Sequence, residues 1–294
     1  MNTPVFVGSG TAIVTPFSEG KVDYKKLAEL IDFQIAGGTD AIIICGTTGE
    51  SSTMSLEEHT ATVDFCIKHV NSRVKVVAGT GSNDTLCALF LSQEAEKSGA
   101  DALMLVTPYY NKATQRGLIK HYEYVADRVN LPIIMYNVPS RTGMTFTFDT
   151  YKELSKHPNI HGVKEASSNY KMIAMTIDAC GDDLYIWSGN DEDTVPLMAI
   201  GAKGVISVMS NVIPAEVAAM TKACLDGDFK LGAELYLKYI DFNDKLFIEV
   251  NPMPVKAALN LMGMDVGEPR MPLCDLEPGN LEKLRKSMEA IGLL

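Results

Sequence analysis

The chain has 294 residues, with 26 Lys and Arg against 37 Asp and Glu, a formal charge of −11. Such a balance argues against nucleic-acid or anionic-membrane partners, which need a basic face. Hydrophobic residues at 46% and charged residues at 21% suit a globular protein with a large core, either one big barrel with an appendage or two medium domains.

The N-terminal segment Met1 to Phe6 lacks the basic start and long apolar stretch of a secretory signal, and no run reaches the ~18 apolar residues of a membrane span, so a cytoplasmic protein is expected. Short β-rich runs then recur: 11–15, 41–45, 75–78, 102–107, 133–137, 162–165, 185–188 and 204–208. Their starts are 19 to 34 residues apart, enough for one strand, one helix and two short loops each. Eight strands separated in this way imply parallel pairing and closure into a (β/α)8 TIM barrel. Between them, Ser55-Leu56-Glu57-Glu58 reads as a capping box ahead of a helix running to Val70, and Gly99 reads as a helix stop. After Val212 the pattern is helical, broken at 251–254 and across 263–278. The barrel is therefore expected over residues 1–225, its last helix near 214–225, and a C-terminal helical region over 226–294. Six scattered cysteines, at 45, 66, 87, 180, 224 and 274, form no CxxC pair and read as reduced thiols.

Parallel barrels carry their chemistry where the strands end. Those ends hold hydroxyls, glycines and one lysine, but no histidine. His59, His69 and His121 fall in helical stretches, while His157 and His161 fall at the wrong end of the sixth strand, so no catalytic metal and no cofactor is expected. The run Asp191-Glu192-Asp193 reads as a solvated acidic helix start. Gly79-Thr80-Gly81 lacks the third glycine of a dinucleotide fingerprint, since Asp84 occupies its place, and reads as a tight turn.

Lys164 closes the apolar run of the sixth strand. An amine inside the barrel mouth is desolvated, loses basicity and becomes able to attack a carbonyl; the bland alternative is a lysine that snorkels to water or pairs with a carboxylate. Its companions favour the first reading. Gly46-Thr47-Thr48-Gly49 offers close backbone N–H groups and two hydroxyls for a carboxylate, although such loops are common. Tyr136, which ends the fifth strand, has a phenol suited to proton transfer, or is simply core packing; Arg141 has a planar fork for a second carboxylate, or makes a surface ion pair.

GTTGES (46–51), TPYYNK (107–112), YNVPSRTG (136–143), GVKEAS (162–167), SGND (188–191), GVISV (204–208) and NPMPVK (251–256) together resemble the dihydrodipicolinate synthase family, also called 4-hydroxy-tetrahydrodipicolinate synthase, over essentially the whole chain. The resemblance implies condensation of pyruvate with aspartate semialdehyde through a Schiff base on Lys164. It implies a proton relay of Tyr136, Thr47 and Tyr110, with Thr48 on the pyruvate carboxylate, Arg141 on the aldehyde's carboxylate, and Gly189 and Ile206 lining the pocket. Sister lyases acting on N-acetylneuraminate or 2-keto-3-deoxy sugar acids share the lysine and tyrosine, but the fixed cation Arg141 suits a short aldehyde acid better than a polyhydroxyl chain.

In an extended segment Tyr109 and Tyr110 point to opposite sides. The resemblance has Tyr110 completing a neighbour's relay across a dimer interface, and most relatives are dimers of dimers, so a homo-oligomer is expected. An effector pocket for lysine would use Ser51, Ser52, Leu56, His59, Asn83, Cys87 and Tyr109. Leu56 and Cys87 stand where inhibited relatives commonly have histidine and glutamate, so feedback by lysine is expected to be weak or absent.

Overall fold

The apolar runs pair side by side, all in parallel, and close on themselves in the computed structural model, which describes residues 3–294. The barrel strands are β1 (Gly8–Ala12), β2 (Ala41–Ile44), β3 (Lys75–Gly79), β4 (Ala102–Val106), β5 (Ile133–Asn137), β6 (Ile160–Glu165), β7 (Tyr185–Ser188) and β8 (Gly204–Ser207). Each strand pairs with the next in the chain, and β8 returns to β1. The connections carry α1 (Tyr24–Ala36), α2 (Leu56–Val70), α3 (Thr85–Ser98), α4 (Gln115–Ala126), the short α5 (Pro139–Thr142) and α6 (Phe148–Leu154), α7 (Tyr170–Cys180), α8 (Thr194–Ala199) and α9 (Pro214–Leu225). This is a (β/α)8 TIM barrel. Beyond it lie α10 (Phe229–Lys245), α11 (Met253–Leu261) and α12 (Pro278–Ala290), with α10 against α9 and α12 across α10 and α11.

Strand alternation divides the apolar residues into two layers. Ile43, Val77, Met104, Ile134, Trp187 and Ile206 fill the barrel interior, and a larger layer packs between strands and helices. The first strand lies three residues earlier than expected. Gly8-Ser9-Gly10 is a poor strand signal, but the Phe6 ring and the tip of Ile43 leave no room for a side chain at Gly10. The more apolar Ile13-Val14 continues past the ladder, where Val14 N–H donates instead to Asn211 Oδ1 at 3.0 Å. A small hairpin, Phe17–Ser18 with Lys21–Val22, was not anticipated from the sequence.

Ser55 caps α2 as expected, accepting from Glu58 N at 3.2 Å, but the Glu58 carboxylate serves Arg270 as a bidentate partner. Gly99 ends α3 with a positive φ of 92°. At the 79–81 turn a Cβ on Gly79 would run into Cys45 O, and one on Gly81 into Val106 N, which is why this tight turn needs glycine. All six thiols are free. Among the described residues no helix is long and apolar enough to cross a membrane.

Candidate active site

Register brings Lys164 and Tyr136 together. Tyr136 on β5 is the cross-strand partner of Lys164 on β6, which in turn pairs with Trp187 on β7, so all three side chains share the interior face at one level. Gly162, two residues below Lys164, leaves room for the Trp187 ring, which stacks on Phe6 and floors the site. Lys164 is only 5% exposed, and its Nζ lies 4.3 Å from the centre of the Tyr136 ring. Burial pulls the Lys164 amine down to about 7; Asp191 opposes that shift and Arg141 adds to it. Burial also raises the Tyr136 phenol, against Arg141 and a hydrogen bond with Thr47, so the phenol carries its proton at neutrality.

The turn after β2 is bracketed by two non-glycine residues in the left-handed region, Cys45 and Glu50, each with φ 55°. Such residues cost on the order of 1–3 kcal/mol each and persist where surrounding contacts over-determine them. Thr47 lines the mouth and Thr48 is buried. The C-terminal region supplies the contacts around the turn. Asn251 Nδ2 donates to Thr48 Oγ1 at 3.0 Å, Lys256 Nζ donates to Glu50 Oε1 at 2.9 Å, and Arg270 N donates to Glu50 Oε2 at 2.8 Å. Asn251 O also accepts from Arg141 Nη2 at 3.1 Å, so one residue touches both carboxylate binders expected from the sequence.

Thr47, Val106, Val138, Arg141 and Thr142 line a cavity of about 400 Å³ that extends over Ser51, Ser52, Leu56, His59, Cys87 and Tyr109. A smaller space of about 40 Å³ joins Thr47 to Tyr136 beneath it. Ile206 is fully buried in the barrel interior, and Gly189 N donates to Glu165 O at 2.8 Å, where a Cβ would crowd Ala166. The candidate effector residues therefore share the large cavity, with the exception of Asn83, whose carbonyl accepts from Asn111. Tyr109 and Tyr110 diverge as expected, but not through an extended backbone: Tyr110 has φ 69° and stands 90% exposed, away from the cavity of its own chain.

The acidic run corrects an expectation. Asp191 is 1% exposed, accepting from Ser207 Oγ at 2.5 Å, Val208 N at 2.9 Å and Met209 N at 3.0 Å, with burial raising its carboxyl against these donors. Asp193 is buried too, accepting from Ser168 and Tyr170, so only Glu192 faces water. The histidines stay away from the lysine: His59 Nε2 contacts Gly79 O, His121 contacts Thr85, and His69 and His157 meet surface aspartates. Among the described residues no cluster of three His, Cys, Asp or Glu could hold a metal.

Sequence reasoning gave no role to Glu50, Asn251, Lys256, Arg270 or the buried group of Glu165 with Asn137 and Tyr151. Lys256 was detectable as the one charged residue on a helix that is apolar but for Asn260 near its end, and such a cation has to find a partner.

Known proteins match the chain in both sequence and fold. The model of the dihydrodipicolinate synthetase family matches residues 5–291. A 4-hydroxy-tetrahydrodipicolinate synthase of Acetivibrio thermocellus is 49% identical over 294 residues, covering all of both chains. The crystal structure of dihydrodipicolinate synthase from Aquifex aeolicus, 46% identical, superposes with a TM-score of 0.96 over 98% of this chain and 99% of that one. A Cyanidioschyzon merolae enzyme solved with lysine bound, 37% identical, has the same score over 99% and 100%. Matched along almost its whole length in both sequence and structure, the chain belongs to the dihydrodipicolinate synthetase family.

Proposed function

We propose that the chain condenses pyruvate with L-aspartate 4-semialdehyde to give 4-hydroxy-tetrahydrodipicolinate, the activity named for its relatives. The observation that carries this reading is the enclosed Lys164 amine, brought down to about 7 by burial and seated against Tyr136. A half-neutral amine attacks the keto carbon of pyruvate, and loss of water leaves a Schiff base. Loss of a methyl proton gives an enamine, whose carbon attacks the aldehyde. The aldehyde's own amino group then closes the ring on the former keto carbon and releases Lys164.

Tyr136, still protonated, donates to the departing oxygen and passes protons along Thr47 to the partner's Tyr110. Thr48 and the turn's backbone take the pyruvate carboxylate, Gly189 and Ile206 shape the pocket wall, and Arg141 takes the carboxylate of the second substrate. The exposure of Tyr110 on the single chain supports a homo-oligomer in which each site is completed by its neighbour. We read the protein as cytoplasmic.

The test is turnover of pyruvate with aspartate semialdehyde, followed as product formation, beside cleavage of N-acetylneuraminate. Condensation with no cleavage is expected. Cleavage of the sugar acid at the greater rate would assign the chain to the sister lyases.

A further inference from the structure

We propose that the buried Glu50–Lys256 pair is a positioning device for catalysis, holding the turn that carries Thr47 and Thr48 where the keto acid's carboxylate binds. The inference rests on the reading of that turn as the pyruvate site. Glu50 follows the turn directly in the left-handed conformation, with φ 55°, and has no glycine's freedom to adopt it. Its carboxylate fixes it there. Oε1 accepts from Lys256 Nζ at 2.9 Å and Oε2 from Arg270 N at 2.8 Å, and both donors come from the far end of the chain.

The pair is closed to water, each side chain 1% exposed. Lys256 has little choice of partner. Its Nζ also donates to Glu268 O at 2.9 Å and lies 4.5 Å from the centre of the Phe17 ring, while the rest of α11 around it is apolar. Asn251, just before the same helix, takes hold of the turn at Thr48 Oγ1. Asn251 and the first turn of α11 therefore reach the turn at two points two residues apart, Thr48 and Glu50. Neither Glu50 nor Lys256 lines the 400 Å³ cavity, so any effect they have on substrate is indirect, and the turn is the part of the site that Glu50 joins.

A buried cation removed from its carboxylate strands that carboxylate, which must then swing toward water and carry the turn with it. Lys256→Met is expected to raise the KM for pyruvate about tenfold or more and that for the aldehyde by less than about threefold, since Arg141 sits on another loop. Glu50→Gln, whose single acceptor oxygen can serve Lys256 Nζ or Arg270 N but not both and which strands the Lys256 charge, is expected to raise the KM for pyruvate in the same direction. A cooperatively melting Lys256→Met enzyme with an unchanged pyruvate KM, or with both constants raised equally, overturns the proposal. Should that variant not fold, the Glu50→Gln, Lys256→Met double variant, which strands no charge, is held to the same criterion; if neither folds, the pair serves the fold alone and the positioning role fails. Borohydride trapping of pyruvate on wild-type Lys164 separates the two levels. No adduct there overturns the functional reading, whereas normal wild-type trapping with an unshifted Lys256 variant overturns only the positioning role.

Discussion

At the scale of single residues, the chemistry depends on how far burial moves one ammonium group. A lysine at its ordinary 10.5 is neutral in about one molecule in three thousand at pH 7, whereas Lys164, lowered to about 7, is neutral in about half. The rate of pyruvate adduct formation at limiting pyruvate should therefore rise with pH to a midpoint near 7 and level off above it. A midpoint above 9 would mean that the amine is hydrated. The same shift has a cost in stability. Because the folded value lies below the unfolded one, the unfolded chain binds the extra proton between about 7 and 10.5, and stability rises with pH across that window. Lys164→Met removes the penalty, so it should abolish turnover yet stabilise the fold by on the order of a few kcal/mol below pH 7. That gain should fade toward pH 10.5, as read from chemical denaturation at several pH values. Lys164 was legible from the sequence because it is the one lysine among the ends of the apolar runs. Asp191 was not, because an acidic triplet in an acidic chain looks like a solvated surface, and only the fold shows three donors converging on it.

At the scale of elements, regular spacing made the barrel legible, and seven of its eight strands fall within two residues of where the apolar runs place them. The exception is instructive. Gly10 of β1 has no side chain because Phe6 occupies the interior beside it, and Gly8 because a Cβ there would meet the Asp40 carboxylate; neighbours that come from outside the strand leave no local signature. Asp191 illustrates an element held by one side chain, since its carboxylate ties the end of β8 to the Met209–Asn211 turn. Asp191→Ala would leave two backbone N–H groups and the proton of the Ser207 hydroxyl, whose oxygen still accepts from Ser210 N, without an acceptor in the core. A loss of about 3 kcal/mol is expected in urea unfolding, and a loss below about 1 kcal/mol would show that water or rearrangement satisfies them.

At the scale of the whole molecule, the C-terminal helices are part of the site's support. Glu50 and Lys256 are 206 positions apart, and Thr48 and Asn251 are 203 apart, distances at which no sequence pattern reports a contact. The motifs holding these residues were visible; what each residue touches was not. The large cavity bears on regulation. Its lining contains no carboxylate, with Cys87 and Leu56 at the rim, and burial lowers His59 so that it is neutral at pH 7. A lysine ammonium would lack a charge-assisted partner worth about 1.5–3 kcal/mol. Little inhibition by lysine is expected in a coupled assay, and half-maximal inhibition at sub-millimolar lysine would contradict it.

All of this chemistry requires the enclosed Lys164 amine to bond covalently to a small keto acid. That requirement is tested most directly by reducing the protein with borohydride in the presence of pyruvate and mapping the modified peptide by mass spectrometry. A single pyruvate-derived adduct on Lys164, absent when pyruvate is omitted, is expected. An adduct on any other lysine, or none at all from active enzyme, would contradict it.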